Sequence, residues 1–167
     1  MNGFGRIFHL SIFGESHGPC IGVVVDGCPS GIALDEEMFA SDMRRRRGGA
    51  RGATARREPD VPIIESGVLG GRTTGAPILI RIANTDADFS PYADVMRVPR
   101  PGHADLVAAR KHGGFNDPRG GGHFSGRLTA ALVAAGVIAK RVIEPAQVCG
   151  RVLEAGGRAD ASAAAEE

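Results

Sequence analysis

Tryptophan is absent and aromatic residues make up only 5% of the 167 residues, so the core must be built mainly from aliphatic side chains. The formal net charge is only +1, whereas a protein dedicated to nucleic acid carries a marked basic surplus. No apolar run reaches the ~18 residues that a membrane span requires, and no secretory signal pattern opens the chain. We therefore expect a cytoplasmic protein that binds neither nucleic acid nor membrane.

Cysteine is also sparse. Cys20, Cys28 and Cys149 are odd in number and lack the spacing of metal ligands, so we expect buried thiols in a reducing compartment. No two histidines have the i,i+4 spacing of a helical metal site, and no metal site is predicted.

Glycine, by contrast, is abundant, with 25 residues, and the length fits a single domain over residues 1–167. Alternating or continuous apolar patterns predict strands over 4–13, 20–28, 61–69 and 76–83, and helices over 35–47, 104–112 and 128–143. The last helix is apolar nearly all round, so it should be buried and central. This order predicts an α+β fold, a layered β-α-β sandwich with central apolar helices.

The stretch Arg100–Arg127 contains three consecutive glycines, Gly120–Gly122, just before the last helix. Glycines let the backbone approach a ligand closely, and a helix N-terminus attracts anions. Four polar residues near the glycines could reach the same anion: Arg119, His123, Ser125 and Arg127. The alternative is an ordinary solvated loop.

A second basic segment lies between Ser41 and Asp60, with three acids and these seven arginines: Arg44, Arg45, Arg46, Arg47, Arg51, Arg56 and Arg57. Guanidinium groups match phosphate and carboxylate, so the segment fits recognition of a compact polyanion. Consecutive helical residues point about 100° apart, however, so the four adjacent arginines cannot all face one ligand. A solvated basic surface is the alternative.

Two turns present a histidine. Gly14–Gly18 reads G-x-S-x-G, the serine hydrolase pattern, but that pattern needs a following helix, whereas a strand is predicted here. His17 of this turn can act as a general acid or base near neutral pH. His103 follows a Pro-Gly turn, and Asp105 could orient its imidazole.

Five segments in this order resemble chorismate synthases: FGESHG, the arginine block ending REPD, SGVLGGRTTGAPI, RPGHAD and RGGGHFSGR. The resemblance extends from Phe4 to about Ala165. Members of that family are about twice this length, so the chain is similar to an N-terminal half and we expect it to be truncated at its C-terminus.

The resemblance implies the anti-1,4-elimination of phosphate from 5-enolpyruvylshikimate 3-phosphate, a small anionic substrate, with reduced FMN as cofactor. It also implies a homotetramer. It makes His17 the general acid at the leaving phosphate and places His103 near the flavin. The residues implied in substrate binding are Ser16, Arg45, Arg46, Arg51, Arg57 and Arg127. Those implied in cofactor binding are His123, Phe124 and Ser125 for the flavin, and Arg45 and Arg51 for NADPH as its reductant.

Two departures from the family pattern stand out. Many members have Arg-Ser-Ser where this chain has His123-Phe124-Ser125, which alters two polar contacts. The family's second half, with a lysine for the flavin phosphate and an aspartate near the reaction centre, is not present. A non-catalytic anion-binding fragment and a hydrolase using Ser16 remain as alternatives.

Overall fold

The computed structural model describes residues 2–47, 56–86, 95, 97–151, 153–154 and 157. Within them, five antiparallel strands form the main sheet: β1 (Gly3–Phe4), β2 (His9–Gly14), β3 (Cys20–Asp26), β4 (Pro62–Ile64) and β7 (Ile78–Ala83). Their spatial order is β1-β2-β3-β7-β4. A separate hairpin pairs β5 (Val68–Leu69) with β6 (Arg72–Thr73).

The alternation predicted for the last strand is confirmed. Ile78, Ile80 and Ile82 are all fully buried, and they pair with the equally buried Val25, Val23 and Ile21 of β3. Successive residues of a strand point to opposite faces, so this register places six β-branched side chains on one side of the sheet.

Two predicted strands prove to be interrupted. The strand expected over 4–13 breaks between β1 and β2, where Gly5 has a φ of 96°. The strand expected over 61–69 divides into β4 and β5, with Gly67 at a φ of 80°. In both cases a glycine in the left-handed region ends the pairing, which a hydrophobic pattern alone does not reveal.

The helices lie close to their predicted positions. Asp35 caps the first one by accepting from the Met38 amide (3.1 Å), and a short 3₁₀ turn over Glu36–Phe39 leads into α1 (Ala40–Arg46). The other two are α2 (Asp105–Lys111) and α3 (Thr129–Val142). Gly48-Gly49, which follow in the sequence and are typical of a helix end, lie outside the described residues.

Helix α3 packs against β3 of the main sheet and against α1. Its buried face consists of small and branched residues: Ala130, Ala131, Ala134, Ala135, Val137 and Ile138. The opposite face is open, since Leu132 is 43% exposed, so within the described residues the helix is covered on one side. The observed architecture is α+β with an antiparallel sheet.

The cysteines differ in environment. Cys28 is buried, which raises the pKa of its thiol, and Cys20 is half-buried. Cys149 is exposed, which corrects the expectation of three buried thiols. Across the described residues, no helix combines the length and apolar character needed to cross a bilayer.

Candidate functional site

The turn between β2 and β3 carries Ser16 and His17, and both are buried, at 2% and 9% exposure. The turn is closed by the Gly18 amide, which donates to the Glu15 carbonyl (3.1 Å). The Ser16 amide donates to the Gly122 carbonyl (3.0 Å), so the turn is joined to the distant glycine loop. A strand follows the turn, not a helix, which agrees with the expectation that this is not a nucleophile elbow.

The glycine loop lies directly over this turn. Gly120 has a φ of 57°, and a Cβ there would come within 2.4 Å of the His17 ring. At Gly122, with a φ of 54°, a Cβ would meet the Asp117 carbonyl at 2.1 Å. Only glycine allows this approach, so the loop forms one wall around His17.

The Ser16 hydroxyl lies in a polar network. Arg56 Nη1 donates to Ser16 Oγ (2.9 Å), and the Ser125 hydroxyl lies 3.2 Å from the same oxygen. The Glu58 carboxylate accepts two hydrogen bonds from Arg56, one from Nη2 (2.6 Å) and one from Nε (2.9 Å). Burial acts to raise the pKa of Glu58, but hydrogen bonds from Thr85 and Arg56 outweigh it and keep this pKa below normal. Arg56 is thereby fixed with its charge at the serine.

A buried carboxylate organises two of the arginines predicted to bind substrate. Asp60 is 2% exposed and adopts a φ of 48°, unusual for a non-glycine residue. It accepts from Arg46 Nη1 (2.7 Å) and, through its other oxygen, from Arg127 Nη1. Arg127 Nε also donates to Asn84 Oδ1 (3.0 Å). Arg46 and Arg127 thus have partners within the fold, and these contacts stabilise the structure around the site.

The remaining predicted arginines are placed differently. Arg45 is exposed on α1, and Arg57 is exposed while its backbone amide donates to Asp86 (2.8 Å). Arg51 lies outside the described residues. The four adjacent arginines fan out as predicted, since Arg46 turns inward while Arg47 donates to the Pro59 carbonyl.

Arg119, beside the glycines, is held by Asp117 through contacts of 2.8 to 3.2 Å. These hydrogen bonds from Arg119, and the nearby charge of His17, keep the pKa of Asp117 below its usual value despite partial burial. The site therefore contains an ionised carboxylate that Arg119 holds in place.

His103 differs from its expected setting. It is exposed, and Asp105 does not orient it but binds Arg100, which donates from its backbone amide (3.0 Å), Nε (2.8 Å) and Nη2 (2.9 Å). These hydrogen bonds lower the pKa of Asp105, against the effect of burial. The physical reason is that a guanidinium fork matches a carboxylate better than an imidazole does.

A cavity of about 940 Å³ opens beside the turn. Its walls include His123 and Phe124, two of the residues predicted to contact flavin, and His123 Nδ1 lies 2.9 Å from the Gly14 carbonyl. Phe115 and Lys111 also line it. The third residue of the triplet, Ser125, points instead at Ser16. His103 is not among the lining residues.

Several residues that build the site were not predicted from the sequence. The most important are Asn84, Glu58 and Asp60. The two acids stand within the arginine segment, in REPD, and that juxtaposition of opposite charges was the available signal for internal ion pairs. Asn84 follows β7 with no local feature that marks it. No cluster of three or more His, Cys, Asp or Glu side chains able to hold a metal occurs among the residues whose structure is described.

A histidine enclosed by a glycine loop thus lies beside a serine and a fixed guanidinium group on an α+β scaffold, and such side chains are suited to contacts with an anion. The sequence profile of the chorismate synthase family matches residues 8–166, and the chain belongs to that family.

Individual relatives agree. The chain is 56% identical to the chorismate synthase of Chitinophaga pinensis over 145 residues, 87% of this chain and 44% of that protein. It is 47% identical to that of Thermococcus kodakarensis over 164 residues, 98% of this chain and 46% of the relative. A crystal structure of chorismate synthase superposes with a TM-score of 0.59 at 30% identity, covering 82% of this chain and 34% of that one. The chain therefore spans less than half the length of these relatives.

Proposed function

We propose that this chain forms the N-terminal portion of a chorismate synthase that eliminates phosphate from 5-enolpyruvylshikimate 3-phosphate to give chorismate. The observation that carries the proposal is the enclosure of His17 by the glycine loop in a chain that matches the family over residues 8–166. His103, exposed on its turn, is proposed as the second catalytic histidine.

His17 acts in this proposal as the general acid at the departing phosphate. Its imidazole is buried beneath the glycine loop, where a phosphate bound at the loop could accept a proton from it. Arg56 brings a positive charge to Ser16, where a phosphate or carboxylate of the substrate can accept hydrogen bonds. Arg45, Arg51 and Arg57 contribute further charge for anion binding, while Arg46 and Arg127 hold the site's frame.

Reduced FMN is the proposed cofactor, and the cavity beside the turn fits it in part. Its volume of about 940 Å³ suits a ligand of that size, and the rings of Phe124, His123 and Phe115 offer surfaces for a flat ring system. Bound there, the flavin would supply electron density to the substrate as the phosphate leaves. Among the described residues that line this cavity, only Lys111 is a lysine, so we propose that the ribityl phosphate is held chiefly by the part of the complete protein that this chain does not cover. NADPH bound near Arg45 and Arg51 is the proposed reductant.

The arrangement of sheets around α3 in the complete protein is proposed from two observations. The exposed Leu132 of α3 belongs in a protein interior, and the relatives extend well beyond this chain. We propose that the extension covers this face with a second sheet, giving the β-α-β sandwich, and that the complete protein is a cytoplasmic homotetramer. Leu132 also lines the cavity, so covering this face would complete the flavin site.

The test is to join this chain to the C-terminal portion of the Chitinophaga pinensis relative and to measure phosphate release and chorismate formation with reduced FMN. We expect turnover that is lost in His17→Gln and retained in Ser66→Ala, a change remote from the site.

Two outcomes favour the alternatives. Binding of the substrate without turnover would support an anion-binding protein, and labelling of Ser16 by a fluorophosphonate would support a hydrolase. Either result would overturn the proposal.

A further inference from the structure

Asn84 stands just beyond the end of β7, opposite the turn that carries Ser16 and His17. Its side-chain amide donates to the Glu15 carbonyl (3.0 Å) and to the Gly18 carbonyl (2.8 Å). These two carbonyls lie on either side of the Ser16-His17 dipeptide. Its backbone amide donates to the Pro19 carbonyl (3.1 Å), which continues the β3–β7 pairing by one step. One residue thus holds both ends of the turn.

The orientation of the amide is fixed by its third partner. Arg127 Nε lies 3.0 Å from Asn84 Oδ1, and a guanidinium can only donate. The carbonyl oxygen of Asn84 must therefore face Arg127, which leaves the NH₂ group facing the turn. Arg127 is in turn bound to the buried Asp60, so a chain of contacts leads from that carboxylate to the turn.

We propose that Asn84 is a positioning residue, which fixes the turn so that the His17 imidazole faces the glycine loop. The catalytic consequence rests on the function proposed above, whereas the structural role does not. Gly14 and Gly18 flank the turn, and glycine-flanked peptide units reorient easily. Without the two hydrogen bonds, the Gly18 carbonyl loses the Asn84 donor and the Glu15 carbonyl keeps the Gly18 amide as its donor. The peptide planes on either side of Ser16-His17 are then held less firmly, although the Ser16 amide still donates to the Gly122 carbonyl.

Asn84→Asp is the decisive variant because it keeps the shape and the oxygen facing Arg127 but removes both donors to the turn. Asn84→Ala removes all three side-chain contacts. Ser66→Ala is the matched control, since Ser66 likewise joins two backbone groups next to β7, donating to the Pro77 carbonyl (2.9 Å) and accepting from the Leu79 amide (3.1 Å). It lies at the opposite end of that strand.

The first measurement is hydrogen–deuterium exchange on this chain, which needs no activity. We expect the Ser16 and Gly18 amides to exchange about tenfold faster in both Asn84 variants and at the wild-type rate in Ser66→Ala. The second is kinetics in the chain completed with the relative's C-terminal portion. There we expect kcat to fall by about 10²-fold in both Asn84 variants with KM little changed, and Ser66→Ala to keep wild-type kcat.

The two readouts separate the possible failures. Wild-type exchange at the turn in Asn84→Asp would overturn the positioning role, whatever the activity. Faster exchange at the turn with unchanged kcat in a functioning enzyme would overturn its catalytic consequence. A completed wild-type protein that shows no turnover would refute the proposed function, and the exchange rates would still decide whether Asn84 fixes the turn.

Discussion

Arg45 and Arg46 are neighbours in the sequence, yet they lie in different environments. Residues one apart on a helix point about 100° away from each other, so Arg46 reaches Asp60 while Arg45 remains exposed. Among identical neighbouring side chains, the helix phase therefore decides which one stabilises the fold and which one is available to a ligand.

The first prediction follows from this difference. Arg46→Ala should lower the free energy of unfolding by about 1–3 kcal/mol, because Asp60 loses one charged partner while it stays buried. Arg127→Met should lower it by about 3–5 kcal/mol, since this pair is almost completely buried. Arg45→Ala should change it by less than about 0.5 kcal/mol. Urea unfolding measures all three, and equal losses for Arg45 and Arg46 would contradict the structure.

For the exposed Arg45 we predict an effect on kinetics rather than on stability. In the completed enzyme, Arg45→Ala should raise KM for substrate or nicotinamide cofactor by about tenfold or more, through loss of a charged hydrogen bond of ~1.5–3 kcal/mol. The same prediction applies to Arg51. Steady-state kinetics with each ligand varied in turn are the check, and unchanged KM values in both variants would contradict a role of Arg45 and Arg51 in anion binding.

The two histidines differ in burial, and this separates their predicted effects. Replacement of either, as His17→Gln or His103→Gln, should lower kcat by ~10²–10⁴ in the completed enzyme. Only His17→Gln should also reduce stability, because that side chain is buried beneath Gly120 while His103 is exposed. Melting temperatures measured beside kcat test both statements, and full activity of a variant would exclude that histidine from the mechanism.

At the level of elements, the glycine loop and the turn between β2 and β3 fit together as two surfaces. Gly120 lacks the Cβ that would collide with His17, and Gly122 supplies the carbonyl that binds the Ser16 amide. The loop therefore determines both the shape of the site and the position of the turn.

Gly120→Ala should damage the site beyond the strain of its backbone angle. Gly70→Ala is a close control, because Gly70 has a φ of 58° but a Cβ there meets nothing within 4 Å. The control should lose about 1–2 kcal/mol of stability, the usual penalty for a left-handed alanine. Gly120→Ala should lose more and should shift the His17 ring resonances in NMR spectra. Equal losses of stability in the two variants, with unchanged His17 resonances, would show that the loop is not in close contact with the His17 ring.

For the whole molecule, stability should decline in acid. The pKa values of Glu58, Asp105 and Asp117 lie below normal in the folded protein, so these groups stabilise it above their unfolded pKa values. That contribution should disappear as the pH falls from about 5 towards 2. Arg100→Met, which removes the main partner of Asp105, should flatten the decline relative to wild type. Urea midpoints at several pH values test this, and identical slopes would contradict it.

The exposed apolar surface gives a second prediction at this scale. Phe115 is 95% exposed, Phe4 75% and Leu132 43%, and all three line the same cavity. An open apolar surface of this kind promotes association. We expect the isolated chain to self-associate, to bind FMN weakly and to release no phosphate, and the relative's C-terminal portion to correct all three. Size-exclusion chromatography with FMN titration tests this, and a monomer with turnover comparable to a complete enzyme would refute it.

The sequence by itself determined the approximate positions of the main strands and the helices, the buried isoleucine stripe of β7 and the close approach made by the glycines before α3. These features depend on local periodicity and backbone preference, which can be recognised in each segment of the sequence separately. The sequence did not reveal the breaks at Gly5 and Gly67. Its motifs also pointed to the family. Tertiary structure alone decided which arginine meets Asp60, that Arg100 and not His103 binds Asp105, and that Asn84 holds the Ser16-His17 turn. Each of these is a contact between segments far apart in the chain or a competition between partners, and it is settled by distance and geometry that no local pattern encodes.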